Sequence, residues 1–202
     1  MNTVVPQLVL ASRSPRRSDL LKSMGFSFIV VSAPVSEENL DIEDPKLLTI
    51  ELSKRKAGAV LEQYAEGIVI GADTVVCLDG QIFGKPADRE EASTMLHTLS
   101  GKTHQVFTGF TLNYIGHRQI SGVEKTEVTF RKLQQWEIDD YVRTDKPLDK
   151  AGAYGIQDES GLFVDHIEGC FYNVVGFPLT RFYEALKELL EIKVLRAMMH
   201  FS

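Results

Sequence analysis

Cysteine is nearly missing from this 202-residue chain, which has only Cys77 and Cys170. Two thiols cannot build a disulfide framework and their spacing fits no metal site, so each reads as a small core residue in a reducing compartment, the cytoplasm. Long apolar runs are lacking too. No stretch approaches the roughly 18 consecutive apolar residues of a membrane span, and the first residues do not follow the charged-then-apolar order of a leader peptide. An excess of positive charge is also absent. With 22 Lys and Arg against 28 Asp and Glu, the formal net charge is -6, which argues against a diffuse basic surface for nucleic acid. Any affinity for phosphate must therefore be local. The histidines His97, His104, His117, His166 and His200 show no ligand spacing, and Ser160 lies in no nucleophile elbow. Gly101-Lys102-Thr103 resembles the end of a phosphate-binding loop. However, Leu96 stands where that motif needs its first glycine, and a helical pattern precedes it, so it is not a Walker A.

What is present is an ordinary globular composition, 44% hydrophobic and 25% charged, consistent with one domain over residues 1–202. Residues 7–11 read as a buried strand, 15–24 as an amphipathic helix ended by Gly25, and 26–31 as a second strand. A polar acidic loop, 32–44, leads through Pro45 into a long helix reaching about residue 64. The apolar run 67–72 reads as a fully buried strand with Asp73 immediately after it. Asp79-Gly80 signals a hairpin between 75–78 and 81–83, and 88–99 is helical. The segments 103–114 and 119–130 form a long hairpin, 133–144 a helix, 162–166 and 170–175 short strands, and 178–195 a final helix. No internal repeat or linker interrupts this order, and it predicts an α/β domain with a mixed sheet.

Chemistry concentrates in a few places. In the run Leu10-Ala11-Ser12-Arg13-Ser14-Pro15-Arg16-Arg17, a strand gives way to a helix. Ser14 is suited to cap, Pro15 to open the first turn, and the turn's amides to face an anion. Arg16 and Arg17 add planar donors that match phosphate oxygens. Asp73 and Thr74 after the third strand, and Gly84-Lys85-Pro86 after the hairpin, bring further polar groups toward strand ends, where ligands gather in α/β sheets. In the helix after Pro45, Lys56 interrupts the apolar row Leu48, Leu52, Val60, while Lys54 also has apolar neighbours. Periodicity leaves open which of the two faces inward, and whichever does must snorkel or find an anion. Glu37 and Glu38 can join Asp73 as hard oxygen ligands for Mg²⁺ or Mn²⁺. In the small-residue segment 149–157, backbone can approach a ligand closely, and Gln157 offers a donor and an acceptor of the kind a base requires.

Taken together, L-A-S-R-S-P-R-R at 10–17, the Glu37-Glu38 pair, G-A-D-T at 71–74, G-K-P at 84–86, L-S-G-K-T-H at 99–104 and D-K-A-G-A-Y-G-I-Q at 149–157 resemble the Maf family of nucleoside triphosphate pyrophosphatases. The pairing of G-A-D-T with G-A-Y-G-I-Q is similar to the branch acting on dTTP and UTP. The resemblance implies a mixed twisted sheet flanked by helices, two lobes around a central cleft, and a kinship with inosine triphosphate pyrophosphatases. It implies Asp73 as catalytic acid/base, and Arg16, Thr74 and Gln157 as determinants of substrate choice. Glu38, Lys56 and Lys85 match further active-site positions, which selects Lys56 over Lys54, and Ser12 and Arg17 from the strand-to-helix run join Lys56 and Lys85 as substrate-binding residues. A divalent cation, Mg²⁺ or Mn²⁺, would be held by Glu38 and Asp73. Expected with these are a nucleoside triphosphate as substrate, no nucleic-acid or membrane partner, and a homodimer. The alternatives are a pyrophosphatase for other modified nucleotides such as 7-methyl-GTP, and a nucleotide-sensing regulator of cell division. Residues 192–202 extend past the family's usual core, as a helix end or a tail.

Overall fold

The structure, a computed structural model, describes residues 5–32, 35 and 40–199. Its strands are β1 (Leu8–Ala11), β2 (Phe28–Val31), β3 (Ile68–Leu78), β4 (Gln81–Phe83), β5 (Thr103–Tyr114), β6 (Gln119–Phe130) and β7 (Val164–Glu168). Its helices are α1 (Pro15–Ser23), α2 (Pro45–Leu61), α3 (Arg89–Leu99), α4 (Gln135–Val142), α5 (Phe171–Val175), α6 (Leu179–Leu189) and α7 (Ile192–Met198). The strands form one seven-stranded mixed sheet in the order β2-β1-β3-β5-β6-β7, with β4 hydrogen-bonded to β3. β1 runs parallel to both β2 and β3, while β4 and β7 run antiparallel to β3 and β6. The α/β class with a mixed sheet flanked by helices is therefore as expected.

Local chemistry explains the element boundaries. α1 ends in a Schellman turn, in which the Gly25 amide bonds the Lys22 carbonyl (2.9 Å) and the Phe26 amide bonds that of Leu21 (3.2 Å). Gly25 has φ +78°, a conformation glycine adopts without a side-chain clash. α2 opens on Asp44, whose carboxylate accepts from the Lys46 amide at 2.8 Å, with Pro45 as the first helical residue. α3 opens likewise on Asp88, which accepts from the Glu91 amide at 2.8 Å.

Two compact units emerge: Met1–Asp73, Thr108–Glu124 and Gly176–Ser202 in one, Thr74–Phe107 and Lys125–Val175 in the other. The first has a core cluster of Val9, Ala11, Ala57, Val60 and Val69. In the second, Val76, Leu96, Leu99, Phe130, Ile138 and Phe163 are among the buried residues of a larger core. Within the first unit, α2 lies directly against the sheet, because two strand positions have no side chain. A Cβ on Gly71 would meet the Ser53 carbonyl oxygen at 2.1 Å, and one on Gly109 would meet the Thr49 carbonyl carbon at 2.4 Å.

Four expectations need correction. β3 is continuous from Ile68 to Leu78, so Asp73 sits inside a strand instead of following one. Ser14 occupies the N-cap position of α1 but makes no side-chain cap bond; its own amide donates to Ser12 Oγ at 3.1 Å. The expected strand at 170–175 is the helix α5. Its Asn173 is fully buried and donates to the Val106 carbonyl and to Thr126 Oγ1, both at 3.0 Å, a tertiary anchorage that overrides the β-forming residues around it. The last helix breaks where Leu190 turns extended (φ -125°, ψ 145°), and α7 follows. Residues 192–199 are no loose tail, since Leu195 and Met198 are buried and Met199 bridges Phe26.

Candidate active site

The β1–α1 turn, α2 and β3 converge in the first unit. Ser12, at the end of β1, is buried, and its Oγ lies 3.4 Å from Arg17 Nη1. Arg17 is itself buried. Its Nε donates to the Gly176 carbonyl at 2.8 Å and its Nη1 to the Ala72 carbonyl at 2.9 Å. Guanidinium bonds to carbonyls in a buried setting contribute about 1.5–3 kcal/mol each, so this arginine ties the turn to the strand residue that precedes Asp73. Arg16, one position earlier in the first turn of α1, is half-buried.

Asp73 shares its sheet face with Gly71, two residues earlier, and that is the face α2 covers. Lys56 Nζ reaches Asp73 Oδ1 from the helix in a short charge-assisted hydrogen bond, with the two side chains 15% and 9% exposed. Lys54 is exposed. The lysine that points inward is thus Lys56, and it finds an anion. The helix spacing supports this placement: Ser53 Oγ bonds Thr111 Oγ1 at 2.7 Å, and Thr111 Oγ1 bonds Ser121 Oγ at 2.9 Å, which fastens α2 to β5 just before Lys56.

The second unit holds the other candidates. Thr74, next after Asp73 in β3, is half-buried, whereas Lys85, just past β4, and Gln157 are exposed. The Gly152 amide donates to the Gly84 carbonyl at 3.0 Å, which brings the 149–157 segment beside the segment carrying Lys85. Gly152 has φ +67° and a Cβ there would meet Val76 Cγ2 at 2.8 Å, so both its conformation and its contact with β3 exclude a side chain. Gln157 lies in a turn closed by the Asp158 amide on the Gly155 carbonyl at 3.2 Å. The support beneath this turn was not visible in the sequence. It comes from Tyr141, Lys150, Asp158 and Ser160, which follow no catalytic spacing; Asp158 and Ser160 are two positions apart, and folding brings Tyr141 and Lys150 to them. Glu38, expected as a metal ligand, lies outside the described residues, as does Glu37. Among the described residues no group of three or more His, Cys, Asp or Glu could hold a metal ion.

A turn that carries Arg16 and Arg17 and is tied to Ala72, next to a lysine-paired Asp73, suits the handling of a polyphosphate, and comparison with known proteins gives that chemistry a family. The model of the Maf-like protein family matches residues 7–189. The chain belongs to the Maf family. A Maf relative from Carboxydothermus hydrogenoformans, named dTTP/UTP pyrophosphatase, is 47% identical over 90% of this chain and 98% of its own length. Relatives of the same name from Bacillus cytotoxicus and Symbiobacterium thermophilum are each 46% identical over 90% of this chain, and 95% and 93% of their own lengths are covered. Among solved structures, the Staphylococcus aureus Ham1 protein overlaps 61% of this Maf chain and 71% of its own at 14% identity, with a TM-score of 0.43, too loose a likeness to bear on function.

Proposed function

We infer that this Maf-family chain hydrolyses nucleoside triphosphates, dTTP and UTP among them, to the nucleoside monophosphate and pyrophosphate. The observation that carries this reading is the Lys56–Asp73 pair beside the arginine-bearing β1–α1 turn, in a chain whose relatives of 46–47% identity are named dTTP/UTP pyrophosphatases. In this reading residues 1–202 act as a single catalytic domain.

The chemical difficulty is charge, since water must approach an α-phosphorus ringed by negative oxygens. Arg16, Lys56 and Lys85 supply positive charge along the triphosphate. Arg17 adds its field while its bonds to the Gly176 and Ala72 carbonyls hold the turn in shape, and Ser12 is a contact at the strand end. Asp73 takes a proton from the attacking water as the new phosphorus–oxygen bond forms. The bond between the α-phosphorus and the bridging oxygen breaks, and its electron pair leaves with pyrophosphate. Lys56 holds the Asp73 carboxylate in one orientation through this step. Arg16, Thr74 and Gln157 choose the base. The Gln157 amide has the donor and acceptor that complement the N3–H and C4 carbonyl of uracil or thymine.

A hard divalent cation, Mg²⁺ or Mn²⁺, fits the donor chemistry of Asp73, because such ions need only one or two protein carboxylates when phosphate oxygens complete the shell. Asp73 and Glu38 are the residues that would hold it, and it would neutralise phosphate charge and acidify water. The reading includes a homodimer in the cytoplasm. That residence is supported by the two free thiols, Cys77 and Cys170.

The test is Asp73→Asn, assayed for pyrophosphate release from dTTP and UTP. Loss of the base lowers kcat by about 100- to 10,000-fold, while binding of the same nucleotides persists. Near wild-type turnover in this variant would remove Asp73 from the reaction.

A further inference from the structure

We propose that Asp158 is a specificity-positioning residue: its carboxylate clamps the turn that presents Gln157, and the enzyme's preference for a uracil or thymine ring depends on that clamp. The inference rests on the reading of Gln157 as a base-selecting group. Gln157 itself is exposed, so packing of its side chain does not fix where its amide points. Its position must come from the two ends of its turn, and both ends are held.

At the first end, the Gly155 amide donates to Ser160 Oγ at 2.8 Å. At the other end, the Asp158 carboxylate gathers four donor groups. Ser160 donates to Asp158 Oδ1 through its hydroxyl at 2.6 Å and its amide at 2.9 Å. The Tyr141 hydroxyl lies 3.2 Å from each carboxylate oxygen, and Lys150 Nζ is 3.3 Å from Oδ2. Lys150 is buried, and its head also meets the Lys146 carbonyl at 2.5 Å and Asp149 Oδ1 at 2.6 Å. Its stem closes the space under the turn, since a Cβ on Gly155 would fall 2.6 Å from Lys150 Cε. Burial raises the Tyr141 hydroxyl above the ordinary phenol range, so it stays protonated and available to donate.

This arrangement does more than cap the short 3-10 turn of Glu159–Phe163, for which the Ser160 amide on Asp158 would suffice. Tyr141 from α4 and Lys150 from the preceding loop connect the tip that carries Gln157 to the core. A network of this kind is rigid when every member is satisfied, and it loosens when its hub is removed. A loosened tip lets Gln157 pair with either pyrimidine edge and should erase discrimination between UTP and CTP, which differ at positions 3 and 4 of the ring.

The experiment measures kcat/KM for UTP and CTP in wild type, Asp158→Ala, Gln157→Ala and the double variant, with thermal melting in parallel. In Asp158→Ala the UTP-to-CTP ratio falls about tenfold, with the KM for UTP rising more than kcat falls. In the double variant the ratio is no lower than in Gln157→Ala alone, because the clamp acts through Gln157. A ratio unchanged in Asp158→Ala, or losses that add in the double variant, overturns the proposal while leaving the role of Gln157 intact. An unchanged ratio in Gln157→Ala removes base selection by Gln157 and the clamp's purpose with it. Should Asp158→Ala not fold, Tyr141→Phe removes one clamp hydroxyl but keeps the ring against Phe163, and a wild-type ratio there is equally fatal.

Discussion

Gly71→Ala places a single methyl group where α2 touches the sheet. The new Cβ would lie 2.1 Å from the Ser53 carbonyl oxygen, 2.8 Å from the Ala57 amide nitrogen and 3.1 Å from Ala57 Cβ. Two of these neighbours are helix backbone, so no rotamer change relieves them. To restore an ordinary contact of 3.4 Å the helix must retreat by about 1.3 Å at Ser53. Overpacking on this scale costs about 3 kcal/mol, the upper part of the usual range, and for a chain of this size lowers Tm by about 6–12 °C. Lys56 lies three residues beyond Ser53 on the same helix, so its bond to Asp73 moves with the helix. A displacement near 1 Å at a residue that orients the reacting carboxylate lowers kcat/KM by about 100-fold. The control is on the same helix. A Cβ on Gly58 meets nothing within 4 Å, and Gly58→Ala should leave activity unchanged while adding about 0.5–1 kcal/mol of stability. Differential scanning fluorimetry and a pyrophosphate-release assay on both variants read the contrast. If Gly71→Ala melts and turns over like wild type, the close seating of α2 does not position Lys56.

Lys56→Met keeps the stem but removes the ammonium from a carboxylate that is 9% exposed; the expected destabilisation is about 2–4 kcal/mol in denaturant titration, with weakened triphosphate binding by calorimetry, and normal affinity would limit Lys56 to a structural part. Arg17→Lys retains charge but cannot reproduce the fork onto the Gly176 and Ala72 carbonyls, so a loss of about 1.5–3 kcal/mol is expected, and a wild-type melt would contradict it. His104 is buried against Tyr154 and Phe130, and burial lowers its pKa to about 4. The unfolded chain therefore takes up this proton first as pH falls below about 6.5, so stability present above that pH declines toward pH 4, by about 3 kcal/mol in all. His104→Gln, which can still bond the Tyr154 hydroxyl, should flatten that part of the Tm–pH curve; an unchanged slope would assign acid sensitivity to other groups.

Much of the architecture was legible because periodicity and turn chemistry are local. The long hairpin strands β5 and β6, the Asp44-Pro45 and Asp88 helix starts and the Gly25 stop each follow from residues within a few positions of one another. Segments whose state depends on distant partners are not legible in this way. The 170–175 stretch looks like a strand, yet buried Asn173 bonds Val106 and Thr126, more than 40 positions away, and the stretch becomes helical. Residues 67–78 read as two strands around a polar pair, because no local rule anticipates an aspartate in mid-strand that is neutralised by a lysine from a neighbouring helix.

Sequence by itself determined the residue types, their order and hence the family, since motifs survive without coordinates. It also narrowed the inward-facing lysine to two candidates. Only the tertiary structure decided that Lys56 meets Asp73, that Arg17 spends two of its donors on backbone carbonyls, and that Asp158 gathers Tyr141, Lys150 and Ser160 beneath the Gln157 turn. The reason is physical: a hydrogen bond or ion pair is specified by distance and angle, and partners such as Lys56 and Asp73, 17 positions apart, or Arg17 and Gly176, 159 apart, acquire those only in the folded chain, where Gly71 and Gly109 let α2 seat against the sheet.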